Sequence, residues 1–131
     1  MLKQKIIYQL DTGAYKPVKA HEADAGFDLF AKEDVELSPD KTFKVDTGVH
    51  VLIPEGYVGL VLPRSSYNCA GVATPTGVID AGYTGSISVV LVSKYDLRIF
   101  KGNASLSWSL FRFLMCILWR ATLLELRANA D

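Results

Sequence analysis

The chain has few cysteines and no long apolar run near its start, and each absence excludes a class of protein. Its cysteines, Cys69 and Cys116, form no Cys-x-x-Cys pair, so the sequence does not indicate a zinc site. A disulfide between them is allowed by their number alone. The apolar run after the first five residues is too short for a secretory signal, and two thiols without such a signal are typically reduced. A cytoplasmic protein is therefore predicted.

Net charge is also absent, because 14 basic residues balance 14 acidic ones. Nothing in this balance indicates a surface for nucleic acid or for an anionic membrane. We therefore expect no nucleic-acid partner and no membrane partner. A negatively charged substrate would have to be held by local groups.

Short β-rich segments separated by glycine, proline and aspartate make up most of the 131 residues, a length that fits one domain. Residues 86–93 alternate, with Ile87, Val89 and Leu91 on one face. Turns are expected at residues 38–41 and 54–56. This pattern predicts an all-β sandwich or barrel, with strands near residues 5–10, 25–31, 42–45, 48–53, 57–62 and 86–93.

Two short segments carry groups suited to a phosphate or a metal. Asp28 lies in the run AGFDLFA, and this run taken alone favours a strand with one outward-facing acid. After Pro63 come Arg64, Ser65 and Ser66. A guanidinium suits phosphate because its planar fork is always charged, and the hydroxyls add donors. The competing interpretation is a surface turn with a solvated arginine.

A third segment, GVIDAGYTG at residues 77–85, brackets one acid and one tyrosine with three glycines. Glycines allow tight backbone geometry or close approach of a ligand. Asp80 is placed where a carboxylate acts as a general base, and Tyr83 is suited to stacking on a sugar or base. The competing interpretation is an ordinary hairpin with a core-facing tyrosine.

In this order and spacing, the three segments resemble motifs of the trimeric dUTPase family, and residues 99–103 are similar to the approach to its fourth motif. The resemblance implies a jelly-roll-like β-barrel or sandwich over residues 1–103, assembled as a homotrimer with sites between subunits. It also implies dUTP diphosphatase activity, the Mg²⁺-dependent hydrolysis of dUTP to dUMP and pyrophosphate.

The resemblance further assigns roles to individual residues. Asp80 would activate the attacking water, and Tyr83 would pack under the deoxyribose and exclude a 2′-hydroxyl. Asp28 would help to hold Mg²⁺ through water. Phosphates would be bound by Arg64, Ser65 and Ser66, and uracil by a hairpin over residues 73–83 that includes Thr74, Gly77, Val78 and Ile79. Thr74 stands where many members carry an asparagine, and Gly82 replaces a common acidic residue.

Residues 104–131 depart from this pattern: they contain no glycine or proline and are rich in apolar residues. One interpretation is a hydrophobic helix or membrane anchor, although the run is shorter than the ~20 residues of a span and Arg112 interrupts it. The other is a shifted reading frame. Permitted codons for residues 104–122, read with one preceding base, translate as RIAQLVVVPIFNVHFVESD, which is similar to the family's fourth motif and a following strand. On this second interpretation the tail is aberrant, the closing glycine-rich arm is missing, and activity is impaired.

Two other functions remain open. A dCTP deaminase shares the fold, but it should carry a glutamate soon after the third segment and another arginine soon after Ser66. Residues 86–93 contain no glutamate, and residues 67–70 contain no arginine. A non-catalytic regulatory or interaction protein of the dUTPase type is the alternative from a different class.

Overall fold

The computed structural model describes residues 6–19, 21–23, 26–63 and 71–102, and the backbone of residues 111–117. Within these ranges the regular structure consists of strands and contains no helix. The strands are β1 (Ile7–Leu10), β2 (Gly26–Leu29), β3 (Val35–Leu37), β4 (Thr42–Asp46), β5 (Val49–Leu52), β6 (Tyr57–Pro63), β7 (Val72–Ala73), β8 (Gly77–Ile79), β9 (Ser88–Ser93), β10 (Leu97–Ile99) and β11 (Phe111–Ile117). The prediction of an all-β fold is confirmed.

The strands form two larger sheets and two strand pairs, all built from antiparallel neighbours. One sheet has the order β2-β11-β6-β8, and the other has the order β4-β9-β7. The pairs are β1-β5 and β10-β3. The chain passes from the first sheet to the second and back between β6 and β8, because β7 pairs with β9. The short stretch between β7 and β8 therefore connects the two sheets.

The core follows from the alternation in the strands. In β9 and the residue before it, Ile87, Val89 and Leu91 are buried, as the period of two predicts. They join buried aliphatic residues from the other strands, among them Leu29, Val45, Val49 and Val61. One continuous apolar core therefore supports both larger sheets.

The two predicted turns are also present. Asp40 has a φ of 61° in the turn before β4, a backbone region that aspartate enters more readily than most residues. Gly56 has a φ of 88° in the turn before β6, where the Tyr57 amide donates to the Pro54 carbonyl at 3.1 Å.

The strands that the sequence did not predict are mostly short, namely β3, β7, β8 and β10. The fifth, β11, lies within the tail, where the alternative of a hydrophobic helix is wrong for residues 111–117. Its backbone pairs with β2 over four residues and with β6 over seven. A search of the described residues finds no helix that is long and apolar enough to span a membrane.

Candidate active site

The third segment begins with β8, a strand at the end of its sheet. Gly77 lies opposite Val61 of β6, and a Cβ at Gly77 would come within 3.3 Å of the Val61 Cβ. Glycine therefore lets the two backbones approach closely. Ile79 is buried whereas Val78 is 61% exposed, so the strand turns one side chain into the core and the next outward. Asp80 follows immediately and is exposed.

A turn connects Asp80 to Tyr83, whose amide donates to the Asp80 carbonyl at 3.0 Å. The Tyr83 hydroxyl donates to the Ser86 carbonyl at 2.8 Å. A Cβ at Gly85 would lie only 2.6 Å from that hydroxyl oxygen, so the tyrosine occupies the space that a side chain at 85 would take. Tyr83 is 46% exposed, which leaves room for a second ring against it. The interpretation of a core-facing tyrosine is wrong.

The chain just after this segment is attached to Thr47, a buried residue between β4 and β5. Its hydroxyl and its amide both donate to the Ile87 carbonyl, at 2.7 Å and 3.0 Å. The Ile87 amide donates to the Val49 carbonyl at 2.8 Å. The sequence did not indicate Thr47, because its partner lies 40 residues away.

His50 in β5 makes a second attachment. Its Nδ1 lies 2.8 Å from the Thr84 carbonyl oxygen, and its Nε2 lies 2.9 Å from the Asp11 Oδ1. Sequence reasoning missed His50 and Asp11 as well. The only signal was a lone histidine inside a predicted strand, which is more often structural.

Thr74 lies in the loop between β7 and β8, close to the third segment along the chain. Its Oγ1 is buried, and within the described part of the chain it has no hydrogen-bond partner. An unsatisfied buried hydroxyl has a cost that a ligand atom would remove. This observation fits the predicted role of Thr74 in binding.

The remaining predicted residues are separated from this group. Asp28 is in β2, at the opposite end of the same sheet from β8, so about three interstrand spacings or roughly 14 Å separate the two strands. One chain therefore does not bring Asp28 and Asp80 together. Arg64, Ser65 and Ser66 follow β6 directly in sequence, but they lie outside the described residues, as does Cys69.

The chemistry of Asp28 fits a magnesium ion that is only partly held by protein. Asp28 is 6% exposed and offers carboxylate oxygens, the ligands that Mg²⁺ prefers. In the described ranges no three histidine, cysteine, aspartate or glutamate residues come together as a metal site would require. Mg²⁺ usually keeps several waters and is bound by one or two carboxylates together with substrate phosphates, so this donor set suffices only with a phosphorylated ligand.

A surface depression of about 570 Å³ lies elsewhere, between β3, β4 and β10. Its lining includes Glu36, Lys41, Phe43, Asp96 and Arg98. It contains none of the predicted site residues. The depression therefore has no place in the predicted chemistry.

Comparison with known proteins identifies the origin of this arrangement. The sequence profile of the dUTPase family matches residues 14–103. This chain belongs to the dUTPase family. The matched residues include the first three motifs and the approach to the fourth, so the predicted family is confirmed.

Two sets of dUTPases are similar to it. The deoxyuridine 5′-triphosphate nucleotidohydrolases of Mycobacterium bovis (strain BCG / Pasteur 1173P2) and Mycobacterium avium (strain 104) are 47% and 48% identical over 90 residues, which is 66% of this chain. The chain spans 58% of the length of each of these relatives.

Among solved structures, a mutant dUTPase of phage phi11 of S. aureus, described with a structural Mg(II) ion, has a TM-score of 0.80 at 27% identity. That match covers 88% of this chain and 92% of the phage chain. A mutant dUTPase of Staphylococcus bacteriophage 80alpha with dUpNHpp has a TM-score of 0.79 at 26% identity, covering 89% and 92% of the two chains.

Proposed function

We propose that this protein is a dUTP diphosphatase, which hydrolyses dUTP to dUMP and pyrophosphate. The observation that carries the proposal is the exposed carboxylate of Asp80 at the end of β8, held by a turn next to the exposed ring of Tyr83. A base for water and a platform for a sugar are thereby placed three residues apart. Membership of the dUTPase family supports the same reaction.

Uracil is proposed to bind along the free edge of β8. Since β8 ends its sheet, the outer backbone N–H and C=O groups of Gly77, Val78 and Ile79 have no strand beside them in the described residues. Such an edge offers a row of donors and acceptors. A site that matches a base through backbone hydrogen bonds rejects cytosine because its groups would be left unpaired. Thr74, whose buried hydroxyl has no hydrogen-bond partner among the described residues, precedes this strand by three residues.

The triphosphate is assigned to Arg64, Ser65 and Ser66, which follow β6 next to β8. Asp28 would hold Mg²⁺ through water, and the ion would neutralise charge on the phosphates. Because Asp28 and Asp80 are at opposite ends of one sheet, the complete site is proposed to form between subunits of a homotrimer. The cross-strand partners Ile7 and Leu52 are 65% and 55% exposed, and such apolar surface favours burial between copies. A cytoplasmic location remains a prediction.

Residues 104–131 are proposed to be translated out of frame, so that residues 1–103 form the dUTPase-like domain and the rest is an aberrant tail. The pairing of β11 with β2 and β6 is made by the backbone and does not depend on side-chain identity. It therefore indicates that a strand belongs between β2 and β6, but it does not distinguish between the two reading frames. On this proposal the fourth motif is not translated in its own frame, which would reduce turnover. A regulatory or interaction role without catalysis is the alternative that such a chain favours.

Product analysis tests the proposed reaction. The protein is incubated with Mg²⁺ and, separately, dUTP, dCTP, dTTP and UTP, and the nucleotides and pyrophosphate are measured. We expect slow or undetectable formation of dUMP, and binding of a non-hydrolysable dUTP analogue in preference to the other three nucleotides. Uracil nucleotide formed from dCTP would show a deaminase instead. Absence of any preference for the dUTP analogue would contradict the proposal.

Substitution of Gly85 by alanine tests the role of Tyr83. The added methyl would displace the Tyr83 hydroxyl from the Ser86 carbonyl, at a cost in folding stability of about 1 kcal/mol. We expect the preference for the dUTP analogue over its ribonucleotide counterpart to fall by about tenfold, because the ring no longer crowds the 2′-hydroxyl. Calorimetric titration with the two analogues measures this without turnover.

Gly82→Ala is the matched control, since a Cβ at Gly82 would meet nothing within 4 Å. It should leave the preference unchanged. Equal preferences in the Gly82 and Gly85 variants would mean that Tyr83 does not discriminate between the sugars.

A further inference from the structure

The side chain of His50 lies between two groups that can only accept hydrogen bonds. One is the Thr84 carbonyl, 2.8 Å from Nδ1, and the other is the Asp11 carboxylate, 2.9 Å from Nε2. A neutral imidazole carries one N–H and can donate to only one of them. The doubly protonated ring donates to both. Both hydrogen bonds can therefore form only when the ring is an imidazolium.

The Thr84 carbonyl belongs to the segment that carries Asp80 and Tyr83. Asp11 is itself attached to the fold, because its amide donates to the Gly48 carbonyl at 2.9 Å. His50 thus connects the third segment to the end of β1 and to β5. The attachment at Ile87 is independent of it, since Thr47 and Val49 make that one.

We propose that His50 is a positioning residue for the segment that bears Asp80 and Tyr83, and that it releases the Thr84 end of this segment when it loses its proton. Loss of the proton leaves one ring nitrogen facing an acceptor, so one of the two bonds breaks. The Asp11 carboxylate is the stronger acceptor and keeps the remaining N–H, so the bond to Thr84 is the one lost. The segment then keeps its pairing with β6 and the attachment at Ile87. The connection to catalysis rests on the proposed dUTP hydrolysis, whereas the connection to the segment does not.

The electrostatic surroundings agree with this arrangement. The hydrogen bond to the Thr84 carbonyl, followed by that to Asp11, raises the pKa of His50 above its ordinary value of 6.5, against the opposing effect of partial burial. Asp46 adds a favourable charge. Burial would raise the pKa of Asp46, but hydrogen bonds from Gly48 and Ser86 and the nearby Lys32 hold it below its ordinary value. Asp46 is therefore ionised throughout the titration of His50.

The raised pKa of His50 determines how the stability of this attachment depends on pH. A histidine whose pKa is raised on folding contributes stability that is fully present below its ordinary pKa of 6.5. That contribution is lost as the pH rises through the higher pKa of His50 in the folded protein. We therefore expect the Thr84 end of the segment to loosen as the pH rises above 6.5 and through that higher pKa.

The test compares the full chain with Asp11→Asn and His50→Gln variants. The side-chain amide introduced by Asp11→Asn would donate an N–H to a neutral Nε2 while Nδ1–H still donates to Thr84, so the attachment would survive deprotonation. The side chain introduced by His50→Gln has one donor group and cannot serve both acceptors in the same way. Amide hydrogen exchange of Tyr83 is followed from pH 5.5 to 9, corrected for intrinsic rates, with the Ile87 amide as an internal reference.

In the unmodified protein, we expect Tyr83 protection to fall about five- to tenfold as the imidazole signal of His50 titrates. Protection should stay high in Asp11→Asn and low at every pH in His50→Gln, with Ile87 unchanged. The same pH dependence in the unmodified protein and in Asp11→Asn would overturn the proposal, and so would full protection in His50→Gln. If protection steps as expected but dUTP is not hydrolysed, the proposed enzyme function fails and the positioning role of His50 stands.

Discussion

One base inserted directly after the codon for Asn103 should raise the rate of dUTP hydrolysis by about a hundredfold or more. On the hypothesis of a shifted frame, the insertion brings residues 104 onward into the frame that reads RIAQL and then an alternating strand. In the family this sequence leads to an arm that closes over the substrate phosphates. Closure excludes water and completes the positioning of the reacting groups, on which most of the rate depends.

The measurement is pyrophosphate release from dUTP with Mg²⁺, and the matched control is an insertion of three bases at the same place. That control adds one residue without changing the frame, and it should bring no gain. The restored protein should also have three times the molar mass of one chain by light scattering. The hypothesis is wrong if the DNA, shifted by one base, does not spell the fourth motif, or if both insertions give the same rate.

The part of the fold that the sequence predicted is the part built from local patterns. Residues 86–93 alternate because one face of β9 packs into the core, and the buried set Ile87, Val89 and Leu91 is the predicted one. Turns at residues 38–41 and 54–56 could be predicted because aspartate and glycine tolerate positive φ, and the structure shows positive φ at Asp40 and Gly56. Three-residue strands such as β3 and β10 are too short to show a period, so only pairing between distant segments reveals them.

In the candidate site too, the residues that form a local pattern were predicted and those brought together from distant segments were not. The third segment was recognisable because its glycines, acid and tyrosine are contiguous, and the structure places Asp80 and Tyr83 at the surface. The residues that hold the segment were not recognisable, because Thr47 and His50 meet it across 40 and 34 residues of chain. Neither carries a local pattern that distinguishes it from an ordinary strand residue. The roles of Asp28, Arg64, Ser65 and Ser66 stay predictions.

Asp80→Asn should lower kcat for dUTP hydrolysis by about 10²- to 10⁴-fold, the usual contribution of a general base. The amide has nearly the same shape as the carboxylate, but it cannot accept the proton of the attacking water. Binding of a non-hydrolysable dUTP analogue should change only a few-fold, because the β8 edge and Tyr83 are left in place. The measurement uses whichever form of the protein, as given or with the restored frame, has the higher rate.

Asp96→Asn is the control for the change of charge, because Asp96 is also exposed but lies between β9 and β10. It should leave kcat and analogue binding unaltered. If Asp80→Asn keeps its rate within a few-fold of the parent, Asp80 is not the base and the proposed mechanism fails. If neither form hydrolyses dUTP but the analogue still binds, the geometry of residues 77–85 serves recognition alone. The regulatory alternative then becomes the better account of this chain.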